Sequence, residues 1–219
     1  MNPILCNFYD SIYADVMSAL ALFPDTSDPM FCCVPDGYSD TAIHLMVVGQ
    51  QTRGWGEEPG LDSASALMEH HRTFDLARNY TARRSPFWRA AHELAASVNP
   101  NGPERAFLWS NLVKVDQAGV RPNPEVETII SRFGMIPKEI EVARPDAAVF
   151  FTGPNYDERL TTTFPDLHFK PHSNFIARLV HPALPRSSFR TYHPNALQWQ
   201  SGWHAIAEIA ALIQNDRNE

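Results

Sequence analysis

Three short apolar runs divide this chain, and helical patterns lie between them. The runs cover residues 43–48, 106–115 and 147–152. Each has the length and the mainly apolar character of a buried strand, the second with apolar residues around Ser110-Asn111. Strands separated by helices require crossover connections, and these build a mostly parallel sheet with helices against it. The pattern predicts an α/β fold, a three-layer α/β/α domain around a mostly parallel central sheet. No internal repeat or low-complexity linker interrupts residues 1–219, so the chain reads as one domain.

The helices have recognisable starts and stops. Leu5, Phe8, Ile12, Val16 and Leu20 recur at helical spacing in residues 4–22, and Pro24 ends that helix. Residues 24–41 carry Pro24, Pro29, Pro35 and Gly37 and read as loop. Residues 63–79 and 85–98 read as helices, the second with Phe87, Ala91, Leu94, Ala95 and Val98 on its apolar face. Asn123-Pro124-Glu125 supplies a capping side chain, a proline at the first position and an acid, so a helix runs to about residue 133. A short helix is expected over 137–142, further strands over 175–180 and 188–192, and a closing helix over 201–214.

Charge and cysteine content narrow the function classes. The formal net charge is −7, which argues against avid, non-specific nucleic-acid binding. Its distribution is uneven. Residues 167–207 contain no acid at all, but do contain Lys170, Arg178, Arg186 and Arg190 with five histidines. The three cysteines, Cys6, Cys32 and Cys33, fit neither a disulfide framework nor a metal-ligand set. They read as reduced thiols, and a cytoplasmic location is expected. No apolar run approaches the roughly 20 residues that cross a bilayer, and the N-terminus lacks the basic region of a signal peptide.

The chemistry concentrates at the strand ends. Leu45-Met46-Val47-Val48 runs straight into Gly49-Gln50-Gln51-Thr52-Arg53-Gly54-Trp55-Gly56. The second strand delivers Ser110-Asn111, the third Thr152-Gly153-Pro154-Asn155, and the last Tyr192-His193-Pro194-Asn195. In open parallel sheets, carboxyl ends converge on a ligand crevice. An asparagine offers donors and an acceptor to the edge of an amide-like ring. A histidine after a strand can donate to a developing oxyanion. Each has a structural alternative: Asn111 as a buried residue satisfying backbone, His193 as a turn residue before proline.

The order of these motifs resembles the uracil-DNA glycosylase superfamily over about residues 43–200. Gly49-Gln50-Gln51-Thr52-Arg53-Gly54 is similar to the family's GQDPYH motif, and His193-Pro194-Asn195-Ala196-Leu197 to its HPSPLS motif. Leu108-Trp109-Ser110-Asn111-Leu112-Val113 and Val149-Phe150-Phe151-Thr152-Gly153 resemble the two strand elements between them. The resemblance implies cleavage of the N-glycosidic bond of a flipped uracil-like or deaminated base in DNA. Gly49, Gln50 and Gln51 would line the base site, joined by Gly153 and Asn195. Asn111 would read the Watson–Crick edge, and His193 would stabilise charge on the base. Residues 194–199 would enter the minor groove with Leu197 as tip, with Arg53 and Arg190 as further DNA contacts. Phe74, Tyr80, Phe87 and Trp55 are candidates for stacking on the base. No cofactor or metal is implied.

The chain departs from the family pattern at Gln51, where the water-activating aspartate falls, and at Arg53, where a tyrosine shields the site. Glutamine orients water but takes no proton. Gln51 and His193 could suffice, since some branches carry an amide here. Glu57, Glu58 or Asp62 could fold back to serve. Or the chain is a catalytically degenerate nucleic-acid- or nucleobase-binding protein. Other chemistries are disfavoured. His92-Glu93 begins like HExxH, but Ala96 stands where the second histidine belongs. Pro165 and Pro171 argue against a helix that would pair His168 with His172. His70-His71 read as the solvent side of a helix. Phosphate-loop, dinucleotide and GxSxG motifs do not occur.

Overall fold

The computed structural model describes residues 2–56, 61–74, 85–103 and 105–218. Among them the helices are α1 (Pro3–Leu20), α2 (Ala64–Thr73), α3 (Pro86–Val98), α4 (Pro124–Ser131), α5 (Met135–Ala143), α6 (Asp157–Thr163), α7 (Pro194–Trp199) and α8 (Ala205–Asn218). The strands are β1 (Leu45–Gln51), β2 (Leu108–Val113), β3 (Ala147–Phe150), β4 (His168–Pro171), β5 (Ile176–Val180) and β6 (Ser187–Thr191). The chain clusters into two units. One gathers Met1–Val34, Gln50–Phe74 and Ser110–Ala143, the other Pro35–Gly49, Asp75–Trp109 and Arg144–Glu219.

The first unit is built around α1. Asn2 caps it by accepting the Ile4 and Leu5 amides at 3.0 and 3.3 Å, and Pro3 occupies the first turn. Leu5, Tyr9, Val16 and Leu20 form its buried face, against α2, α4 and α5. The Tyr9 ring stacks on Phe31 with centroids 4.2 Å apart. Asn123 caps α4 as its sequence predicts, accepting the Val126 amide at 3.0 Å. A polar network lies inside this apolar unit. Lys114 Nζ is 2.5 Å from both Glu139 and Ser110, Ser110 donates to Glu139 at 2.7 Å, and the Tyr9 hydroxyl donates to the same carboxylate.

The six strands form one sheet in the order β2-β1-β3-β6-β5-β4. β1, β3 and β6 run parallel, with Val48, Phe150 and Arg190 in register. β5 is antiparallel to β6 and β4 antiparallel to β5, so β4 points with the first three. The α/β class and the mostly parallel sheet follow the sequence pattern. In the second unit α3 packs on α7 and α8, and α8 packs on β6. The amino end of β1 is pinned by side chains. Asn99 accepts the Ile43 amide at 2.9 Å and donates to the Ile43 carbonyl at 2.8 Å. Asp146 accepts the His44 amide at 2.7 Å.

Several elements differ from the sequence reading, which announces neither α6, α7 nor β4. β4 is an edge strand that exposes His168, Lys170 and Pro171, so it carries no apolar alternation to announce it. The closing helix begins at Ala205 rather than 201, because Ser201 adopts a left-handed conformation (φ 57°) that no helix accepts. Of the helix expected over 63–79, residues 75–79 lie outside the described residues. No described helix is long and apolar enough to cross a membrane.

Candidate functional site

Three neighbouring parallel strands of the second unit end side by side. The Phe151 amide donates to the Val48 carbonyl at 2.8 Å, and the Gly153 amide to the Thr191 carbonyl at 2.9 Å. The ladder thus continues past the strands themselves, bringing Gly49, Gly153 and His193 to one sheet end. His193 is held there by its own helix. It stands at the N-cap of α7, where its Nδ1 accepts the Asn195 amide at 3.3 Å. A ring nitrogen that accepts carries no proton, so the neutral ring keeps its hydrogen on Nε2.

Aromatic neighbours set the charge state of this histidine. Phe87, delivered by α3, stacks on the imidazole with centroids 6.0 Å apart and planes 19° apart. Phe87 in turn meets the Phe151 ring edge-on at 5.9 Å. Burial among such groups disfavours the imidazolium and pushes His193 down to about 4. At neutral pH His193 is therefore an uncharged hydrogen-bond donor through Nε2. Of the stacking candidates, Phe87 is the one beside His193. Phe74 and Trp55 lie against each other in the first unit, 5.5 Å apart, and Tyr80 lies outside the described residues.

Two expected DNA contacts are corrected. Leu197 is fully buried, because it is the inward face of the short α7, and so it presents no tip. The exposed apolar residue of that helix is Trp199, 80 % accessible. Arg190 is engaged within the protein: its side chain is 12 % exposed and donates to Asp157 at 3.0 Å. Arg178 likewise grips Asp216 with two nitrogens, at 2.7 and 3.0 Å. Acids elsewhere in the chain therefore neutralise two of the cations in the acid-poor stretch. Asn195 is exposed.

The remaining predicted residues belong to the first unit. Gln50 and Gln51 continue β1 and are half-buried; Arg53 is exposed. Asn111 is 4 % exposed in β2, with its Nδ2 3.4 Å from the Met30 thioether. The structure thus collects Gly49, Gly153, His193 and Asn195 in one unit and Gln50, Gln51, Arg53 and Asn111 in the other.

The glycine-rich loop that follows Gln51 has partners that sequence reasoning missed. The Thr52 hydroxyl lies 3.4 Å from that of Ser27. The Trp55 amide donates to Asp116 at 3.4 Å, and the other Asp116 oxygen accepts the Gly119 amide at 2.9 Å. The Trp55 ring meets His70 edge-on at 4.6 Å. A second carboxylate, Asp28, rests against Gly56: a Cβ placed on that glycine would come 2.4 Å from Asp28 Cβ and 3.0 Å from its Oδ2. Burial raises the Asp28 carboxyl, and His70 partly offsets the effect. Nothing in the proline-rich segment around Asp28 marks it as a neighbour of this loop. His70 and His71 are corrected as well. His70 is half-buried against Trp55, and His71 is 9 % exposed, accepting the Cys33 amide at 3.0 Å. Glu57 and Glu58 lie outside the described residues, and Asp62 is exposed.

Metal-binding geometry is not found among the described residues, where no three His, Cys, Asp or Glu side chains gather. His172 instead pairs with Glu208 at 3.1 Å. No protein-family model matches the chain, and no curated protein shows a significant match to it.

Proposed function

We propose that this protein hydrolyses the N-glycosidic bond of a uracil-like or deaminated base in DNA. The observation that carries the reading is His193: a neutral imidazole with its proton on Nε2, held by α7 at the carboxyl ends of parallel strands. When a glycosidic bond breaks, its electron pair leaves with the base, and charge builds on a ring carbonyl. A fixed, neutral N–H donor stabilises that charge without first having to lose its own water shell. The resemblance adds Gln51 as the side chain that orients water and Asn111 as the reader of the base edge. Incubation with oligonucleotides containing uracil, hypoxanthine or xanthine, at enzyme excess, tests the reading. Alkali-labile sites are expected with at least one of them, and His193→Gln should slow their formation about 10²–10³-fold. No site with any substrate sinks the catalytic reading.

The second reading is a binding protein without turnover. Gln51 in place of an acid favours it, as does a net charge of −7. A titration against DNA at two salt concentrations separates the readings. Salt-sensitive affinity without cleavage supports the binder.

A further inference from the structure

We propose that a cavity at the amino ends of the parallel strands, within the second unit, is a separate ligand site. It takes a small molecule that carries a carboxylate or phosphate on a ring-sized apolar body. The inference does not depend on the hydrolytic reading. The cavity lies at the other end of the strands from His193. Leu45, Ala147 and Ser187 are in register there, three residues along from Val48, Phe150 and Arg190, which is about 10 Å of strand.

The cavity has a volume of about 420 Å³, which falls within the range of small-molecule sites. Its apolar wall is Ala42 and Ile43, just before β1, and Ile213 of α8. The two isoleucines are each 2 % exposed, so this wall is part of the packed core. Two carboxylates, Asp146 and Asp216, also line it, and both are committed within the protein. Asp216 accepts two nitrogens of Arg178 at 2.7 and 3.0 Å and the Ser187 hydroxyl at 2.7 Å. Arg178 is steadied in turn by donating to the Arg186 carbonyl at 3.1 Å and by the Phe189 ring, 4.7 Å from its guanidinium. Burial tends to raise the Asp216 carboxyl. The hydrogen bonds from Arg178 and Ser187 and the charges of Arg178 and Arg186 outweigh that, and hold it below the ordinary aspartate value. Asp146 accepts the His44 amide at 2.7 Å and stands 3.6 Å from the Nδ1 of the same residue.

Two arginines then set the sign of the site. Arg186 and Arg217 line the same cavity from different elements, the loop before β6 and the last turn of α8. Both are exposed at its mouth. With Asp216 balanced by Arg178, the charge they bring is positive. A guanidinium presents a planar fork of donors that matches the oxygens of a carboxylate or phosphate. An anion held by this pair places its apolar body against Ile43 and Ile213. A cationic ligand meets two like charges instead, and the site rejects it.

The test is a titration of the full chain, followed by protein NMR, with phenyl phosphate, benzoate, inorganic phosphate and benzylamine. Phenyl phosphate or benzoate should saturate the protein with a Kd of about 1 mM or below, and the tighter of the two identifies the oxyanion. Inorganic phosphate, which lacks the apolar body, should bind at least about tenfold more weakly. Benzylamine should not bind. Arg186→Gln and Arg217→Gln should each weaken binding about 5–10-fold. Ala42→Trp changes an exposed residue of the wall and should block the cavity while leaving the melting curve in place. His193→Gln should leave the affinity unchanged. The proposal is overturned if neither aromatic anion saturates the protein below about 10 mM, or if inorganic phosphate or benzylamine binds equally well. Affinity that survives both arginine variants and Ala42→Trp overturns it as well. So does affinity lost in His193→Gln alone, which places the ligand at the other end of the sheet. None of these readouts involves DNA cleavage, so failure here leaves the hydrolytic reading standing.

Discussion

The Phe87 ring lies nearly parallel to the His193 imidazole, 19° from coplanar, and shields the imidazole face from water. The stacking links a core aromatic of α3 to the chemistry of α7. It also makes the stability of the fold depend on pH. His193 has a pKa of about 4 in the folded protein and an ordinary value near 6.5 when unfolded. Between those values the unfolded chain binds more protons, so stability rises with pH across the window. Above about 6.5 the ring is neutral in both states and imposes no cost. As pH falls through the window toward about 4, the folded state should lose on the order of 2 kcal/mol, after allowing for water at the ring's exposed edge. Denaturant curves from pH 7 to pH 4 measure the loss, and His193→Gln should flatten their slope.

Leu197 and Trp199 sit two residues apart on α7 but should behave oppositely. Leu197→Ala should cost about 2–5 kcal/mol of stability, because its whole side chain is packed. Trp199→Ala should change stability by less than about 0.5 kcal/mol. If this helix meets nucleic acid, the tryptophan variant should lose about 1–3 kcal/mol of DNA affinity from base stacking. Chemical denaturation and fluorescence titration read the two effects separately.

Lys114 and Glu139 are both almost fully buried, with side chains 2 % and 0 % exposed. Removing one leaves the other charge without its partner in an apolar interior. Lys114→Met or Glu139→Gln alone should therefore cost about 3–5 kcal/mol. Replacing both with apolar residues should cost less than the sum, and a double-mutant cycle by denaturant unfolding gives the coupling.

Gly56 and Gly119 both have positive φ, but their surroundings differ. A Cβ on Gly119 meets nothing within 4 Å, whereas one on Gly56 strikes Asp28 Cβ. Gly119→Ala should cost about 1 kcal/mol from backbone strain alone. Gly56→Ala should cost about 1–3 kcal/mol more through overpacking. Melting curves of the two variants isolate the steric part.

The sequence makes the repeating elements legible because periodicity reports which faces are buried. β1 and β3 are apolar enough to stand out, β6 shows only Phe189 among polar residues, and Asn123 announces α4 through its cap. β4 escapes because an exposed edge strand needs no apolar pattern. The candidate site is legible only in part, for a related reason. His193 and Gly153 follow strands and are visible as strand-end residues. Leu197 and Trp199 look alike as apolar residues, and only the orientation of a six-residue helix decides which is buried. Asp28 reaches its loop through hydrogen bonds to residues 114–116, a tertiary pairing with no local signature.

The two units are not two lengths of gene. The chain passes from one to the other after residues 34, 49, 74, 109 and 143. No single truncation therefore yields either unit whole, and each must wait for segments synthesised far apart before its interior can close. Such interleaving raises the sequence separation of the contacts that folding must make, which slows the search. β1 and β2 both run across these boundaries, each with residues in both units.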